Sequence, residues 1–268
     1  MLRGSWGNQK PPVGSTLNYG HPLFHPKGLY WLFNENGGLP CELRTKILTV
    51  QNAGTMPVWG PGKKLSGPAF SSVSTSTHPA LLPDTTLLPV GPATFFIGSR
   101  KRDTTNRTSA AFGNGGGSGG STFECDALLP YSDGTVYWDY GGNTSGTTRL
   151  SIAGLSFGDD IWAFTVGARG MEIWQNGVKR ASNAATPTRT TDSNPFCIGQ
   201  ATGVLTSDLA DYGFLYVVPF QATGTEIINL TNSPFAIIAP PPATKFYSYA
   251  TPATGNRRRR ILCAGRMM

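Results

Sequence analysis

Two carboxylates stand two residues apart in Phe123–Leu129, FECDALL. Alternate residues of a strand point the same way, so Glu124 and Asp126 would share one face. Hydrolysis of a glycosidic bond by this chemistry needs a proton donor and a nucleophile about 5 Å apart, with their protonation tuned by the surroundings. An aspartate between the two acids would do that tuning. Positions 128 and 129 are both Leu, so the strand lacks a third acid. One i, i+2 pair does not fill all three roles, and the pair reads as solvated strand carboxylates.

A second set of polar residues lies in turns. Asp133, Asp139, Asn143, Asp159, Asp160 and Asp192 could offer oxygens to a glycan, with Trp138 and Tyr140 as stacking surfaces. Asp139, Asn143, Asp159 and Asp160 are the glycan-facing candidates. Calcium demands several oxygens converging from loops. No D-x-D-x-D-G array is present, so calcium has no ligand set and no cofactor is expected. Asp133-Gly134 and Asp159-Asp160 are economical turn formers, and Trp138 fits a core better than a platform. His21 and His25 are four apart, but each precedes proline, which drives both out of helical geometry. Cys41, Cys125, Cys197 and Cys263 form no C-x-x-C pair, so zinc is improbable. Free thiols in a reducing compartment are expected, with Cys125 and Cys197 buried. Gly113–Gly120, GNGGGSGG, lacks the Lys-Ser/Thr that completes a phosphate loop.

The net charge of +7 sits at the ends of the 268-residue chain. Residues 1–27 carry Arg3, Lys10 and Lys27. Residues 28–242 hold 13 Lys/Arg against 15 Asp/Glu. Residues 243–268 carry Lys245, Arg257, Arg258, Arg259, Arg260 and Arg266 without an acid. The body is therefore not a generic nucleic-acid surface, and any such contact would fall to Arg257–Arg260. Residues 1–27 are proline-punctuated and read as an extended arm, with Trp6, Tyr19 and Phe24 as partner-binding residues. Residues 243–268 read as a second, basic arm whose Arg257, Arg258, Arg259 and Arg260 could meet carboxylates on a neighbour.

These residues must be held by β structure. Gly (34) and Pro (21) are abundant, and no window carries a sustained helical stripe. No apolar run is long enough to span a membrane. In Asp160–Ser182, apolar residues fall on both faces of Ile161–Val166, so this strand should be covered on both sides, in the middle of a two-sheet stack. Asn176-Gly177 should then turn a tight hairpin. Strands are also expected at Gly28 onward, Ala93–Gly98, Thr122–Leu129, Thr135–Tyr140, Arg149–Ile152, Phe196–Gly199 and Asp211–Val218. Tyr212, Phe214, Tyr216 and Val218 are expected on one face of the last. One helix is expected at Gly224–Thr231, because Thr223 and Glu226 have capping-box spacing.

Three segments, GLYWLFNENGG, DIWAFTVGARGMEIWQNGVKRAS and DLADYGFLYVVPFQATGTEIINLTNSPFAIIAPPP, together resemble the laminin-G-like, concanavalin-A-like lectin superfamily. The opening His21–Gly38 and closing Leu230–Pro240 are similar to versions of this module in tailed-phage virion proteins. Phe235 and Ile238 depart from the usual tryptophan and phenylalanine there. The resemblance covers about residues 17–242. It implies an all-β, two-sheet antiparallel jelly-roll sandwich at 28–242 between arms at 1–27 and 243–268. It also implies a non-enzymatic virion structural protein: a capsid decoration, head fibre or tail-associated adhesin. The expected partners are other virion proteins, a host surface glycan and further copies of the chain, on the virion surface after synthesis in the host cytoplasm. The alternative is a cellular carbohydrate-binding, lectin-like protein, followed by a glycoside hydrolase using Glu124 and Asp126.

Overall fold

The computed structural model describes residues 10–35, 41–47, 50–51, 58–62, 67–71, 79–115, 121–199 and 209–239. They form the all-β jelly-roll sandwich of two antiparallel sheets expected from the sequence. The strands are β1 (Leu29–Trp31), β2 (Val50–Gln51), β3 (Val58–Gly62), β4 (Gly67–Ser71), β5 (Pro79–Leu82), β6 (Ala93–Lys101), β7 (Phe112–Gly113), β8 (Cys125–Leu128), β9 (Val136–Tyr140), β10 (Arg149–Ile152), β11 (Asp159–Gly167), β12 (Gly170–Gln175), β13 (Val178–Asn183), β14 (Phe196–Ile198) and β15 (Ala210–Val218); the helix is α1 (Gly224–Asn232). The first sheet runs β13-β12-β11-β6-β15-β4-β3, with β1 also paired to β15. The second runs β10-β9-β8-β7-β14-β5-β2.

The alternation along each strand decides what lies between the sheets. Trp162, Phe164 and Val166 of β11 meet Phe95 and Ile97 of β6 and Trp138 and Tyr140 of β9 in the inner core. Phe95 and Trp138 lie 5.3 Å apart, and Trp138 and Phe164 5.4 Å. Such aromatic pairs add to the burial of large apolar surface that drives the sheets together.

The other face of the first sheet is also covered, as the two-sided apolar pattern of β11 requires. The cover, however, is not a third sheet. Ile161, Ala163, Phe96, Phe214 and Tyr216 pack against Leu17, Leu23, Ile227 and Leu230 and the 235–238 segment. Thr223 caps α1 through the predicted capping box with Glu226. Ile227 and Leu230 on its buried side close over the sheet.

Three expectations change. The boundary of an arm at residue 27 does not follow the packing: Leu17 and Leu23 are buried, and Leu17 bridges Ile238. Prolines kept this segment out of a ladder, but its leucines still reach the sheet. Phe24 was expected to bind a partner; instead it packs beside the second cluster, with its ring 4.9 Å from Tyr19 and 6.2 Å from Tyr30. Finally, Tyr212 turns to the inner core while Phe214 and Tyr216 face outward. The pairing of β15 with β6 shifts between Tyr212 and Phe214, and an inserted residue reverses the faces on either side of it. Trp6 and Arg257–Arg260 lie outside the described residues, as does 243–268.

Candidate functional site

The Glu124 and Asp126 carboxylates do have a third acid beside them, on the strand next to β8. Asp126 of β8 is the direct cross-strand partner of Asp139 of β9, and Asp139 is the partner of Arg149 of β10. Cys125, Ala127, Trp138 and Tyr140 point into the core, so Asp126, Asp139 and Arg149 project from the outer face. The sequence reading of a solvated pair is corrected: Glu124, Asp126 and Asp139 are 2%, 7% and 2% exposed.

Each acid is held differently. Arg149 grips Asp139 with Nε and Nη2 at 2.6 Å each, and its guanidinium lies 4.4 Å from the Tyr137 ring centre. Asp126 Oδ1 accepts the amides of Asn114 at 2.9 Å and Gly115 at 2.8 Å. The chain at Gly115 lies so close that a Cβ there would sit 1.8 Å from Asp126 Oδ2. Glu124 Oε2 is buried without a partner.

Burial, with the Asp139 charge beside it, pushes the Asp126 carboxyl up to about 8 against the pull of the Gly115 amide. Burial and Asp139 also raise Glu124. Burial raises Asp139 itself, although Arg149 works in the opposite direction. Asp126 therefore keeps its proton to a higher pH than an ordinary aspartate. This closed cluster can hold and share protons, but Asp126 Oδ1 is spent on amides and Asp139 on Arg149.

A second knot lies beside it. Asp192 Oδ1 accepts Thr85 Oγ1 at 2.8 Å and Asn114 Nδ2 at 3.2 Å. Asn114 Nδ2 and Arg189 Nε both donate to the Phe123 carbonyl, at 3.2 and 3.1 Å. Asp192 is thus a strut between loops. Asp133 is a turn former, accepting Thr135 N at 2.8 Å and Tyr137 OH at 2.6 Å. Trp138 and Tyr140 are core residues and offer no platform.

The open polar site is elsewhere. A cleft of about 470 Å³ lies where the loop joining β10 to β11 meets the β12–β13 hairpin. The 154–158 loop, Asp160, Gln175, Asn176 and Arg180 line it. Asn176 (φ 51°) and Gly177 (φ 76°) make the tight turn that the sequence foretold. The Asn176 side chain ties that turn to β11: Oδ1 accepts Ile161 N at 3.0 Å and Nδ2 donates to Asp160 Oδ1 at 2.6 Å. Asp160 Oδ2 accepts Gly158 N at 2.7 Å, and Gln175 Nε2 donates to Ser156 O at 2.7 Å. Phe157 stacks on Trp162 with centroids 5.8 Å apart.

Of the four glycan-facing candidates, only Asp160 lines this cleft. Asp159 is next to it but turns to Arg100 at 3.8 Å. Asp139 is sealed in the carboxylate cluster, and Asn143 is half-buried in the loop before β10. The structure does not gather the four. The reading missed Gln175, Asn176 and Arg180 as a set, although the Asn-Gly turn had fixed where two of them come together. Among the described residues, no group of three or more His, Cys, Asp or Glu is arranged to hold a metal ion.

The sandwich is similar in fold to solved structures of a sialidase and of an arabinanase domain. The sandwich is similar to Trypanosoma rangeli sialidase in complex with 2,3-difluoro-KDN, at 14% identity over 84% of this chain and 36% of that one, with a TM-score of 0.56. The same sialidase in complex with sialic acid matches 81% of this chain and 35% of its own, at 15% identity and a TM-score of 0.54. Domain 4 of AbnA, a GH43 extracellular arabinanase from Geobacillus stearothermophilus in complex with arabinotriose, matches 76% of this chain and 97% of its own, at 16% identity and a TM-score of 0.56. The chain spans about a third of the length of the sialidase chains it matches. No protein-family model and no curated protein matches the sequence.

One expectation is overturned here. The sequence reading excluded an enzyme, yet the fold is one that glycoside hydrolase chains carry. The fold gives no ground for that exclusion.

Proposed function

We propose that the sandwich binds carbohydrate in the cleft between the 154–158 loop and the Asn176-Gly177 turn. The carrying observation is the composition of that cleft. Two carboxamides, a carboxylate, a guanidinium and Ser156 converge around 470 Å³ of open space beside Phe157. Saccharide hydroxyls are recognised by such planar polar groups, with an aromatic edge for the apolar face of the ring. The likeness in fold to an arabinanase domain solved with arabinotriose supports the reading.

This favours the carbohydrate-binding alternative over the virion reading, which rested on the sequence resemblance alone. A glycan array and isothermal titration of the hits test it. Ser156 is exposed on the cleft wall, and Ser156→Trp would fill the space without touching the core. Binding should be lost with the unfolding midpoint unchanged; binding that survives the tryptophan refutes this site.

A further inference from the structure

We infer that the cleft selects an anionic saccharide, one carrying a carboxylate or a sulfate ester, and that Arg180 reads the charge. The inference rests on the carbohydrate reading above and sharpens it.

The polar groups of the cleft differ in how far they are still open to a ligand. The cleft's acceptors are largely consumed from within. Asp160 Oδ1 takes the Asn176 amide and Oδ2 takes Gly158 N. Asn176 Oδ1 takes Ile161 N, and the Ser156 carbonyl takes Gln175 Nε2. Asn176 Nδ2 and Gln175 Nε2 are the donors in two of these bonds, while the Arg180 guanidinium is engaged in none of them. Arg180 is exposed on β13. It makes no hydrogen bond and no ion pair with any described residue.

Asp159 and Glu172, on the two strands nearest β13 in the sheet, are engaged by other cations. Asp159 lies 3.8 Å from Arg100. Glu172, on the strand paired with β13, has Lys179 at 3.3 Å and Arg169 at 3.8 Å. Asp160 stays in the cleft, but both its oxygens are already hydrogen-bonded. A cavity with spent acceptors and an unspent guanidinium complements a ligand that brings acceptors and negative charge. The guanidinium fork matches a carboxylate or sulfate with two parallel N–H···O bonds. A neutral sugar would leave that charge unanswered.

The test uses the full chain against an array of neutral, carboxylated and sulfated oligosaccharides. Titration of each anionic hit then runs beside its neutral form, the methyl ester or the desulfated sugar. The anionic form should bind roughly tenfold or more tightly, the scale of one charge-assisted bidentate contact. Arg180→Gln should erase that difference. The advantage should also shrink as salt screens the exposed charge.

The carboxylated and sulfated arms say which anion the ligand carries. Equal binding of charged and neutral forms by the wild type overturns the inference while the carbohydrate reading stands. Selectivity that survives Arg180→Gln overturns the assignment to Arg180. An array with no saccharide bound, or binding indifferent to Ser156→Trp, removes both readings.

Discussion

The sandwich has two polar regions built from similar residues, and they have opposite fates. On the outer face of β8, β9 and β10, three carboxylates and an arginine are closed in, and Asp139 and Arg149 satisfy each other. At the head of β11, a carboxylate and an arginine share a cleft without pairing, because amide groups reach Asp160 first. In the first region an arginine is spent on the fold. In the second it pairs with no described residue. Residue type alone therefore does not separate structure from function here; the local supply of hydrogen-bond donors does.

The contrast can be broken most forcefully at Arg149. Arg149→Ala leaves Asp139, almost fully buried, without its counter-ion. Removing one member of a buried pair costs about 3 kcal/mol or more, so the unfolding midpoint in urea should fall sharply. Binding in the cleft should be unaffected in the fraction that remains folded. If stability hardly changes, the cluster is not the structural element described.

Asp126 sharpens the same contrast through pH. Its carboxyl is raised from an ordinary 3.8 to about 8 in the fold. Between those values the unfolded chain binds fewer protons than the native one, so raising the pH favours unfolding. Asp126 should therefore cost nothing below about pH 4, progressively more up to about pH 8, and a constant amount above that. Asp126→Asn should make the protein more stable than wild type at pH 9 and about equal to it at pH 4. The variant keeps some slope, because Glu124 and Asp139 shift in the same direction. Thermal melts across that range give the result, and parallel curves for the two proteins would contradict the assignment.

Asn176 belongs partly to each category. It lines the cleft, but it also holds β11 to the hairpin and sits at φ 51°. Asn176→Ala should cost about 1–2 kcal/mol, from lost hydrogen bonds and from a left-handed backbone that alanine resists. Asn176→Asp should retain part of that stability while placing a second carboxylate near Arg180, and so weaken anion binding.

What the sequence disclosed follows the same division between local and long-range causes. The β12–β13 hairpin was legible because Asn-Gly dictates its turn, and α1 because Thr223 and Glu226 dictate its cap. Asp139 was not legible as a partner of Asp126. Thirteen residues separate them, and only the register of β8 on β9 puts them side by side. The packing of Leu17 against Ile238 was hidden for a similar reason: the two ends of the described chain meet only once the sandwich forms. The prolines near Leu17 said correctly that no long strand forms, and nothing about what the leucines would cover. In the cleft, the sequence offered Asp160 as a ligand-facing acid. The structure shows Asp160 to be a frame for the loop, and moves the interest to Arg180, a residue with no local signature at all.

Arg180→Gln carries the smallest expected effect on the fold, and for that reason it is the most telling. An exposed side chain that touches neither a carboxylate nor a carbonyl of any described residue has little to lose on truncation, so stability should change by less than about 0.5 kcal/mol. Arg180 stands at the register shift of β13 on β12, between the Lys179–Trp174 and Ala181–Ile173 pairs, and its truncation removes no side chain that these pairs need. Suppose instead that Arg180→Gln destabilised the protein as Arg149→Ala should. Arg180 would then have an intramolecular partner in solution, most plainly Asp160 released from Asn176. The cleft would be a second closed cluster, and the difference between the two regions would vanish. Equal melting temperatures for wild type and Arg180→Gln, in low and high salt, are what the open cleft requires.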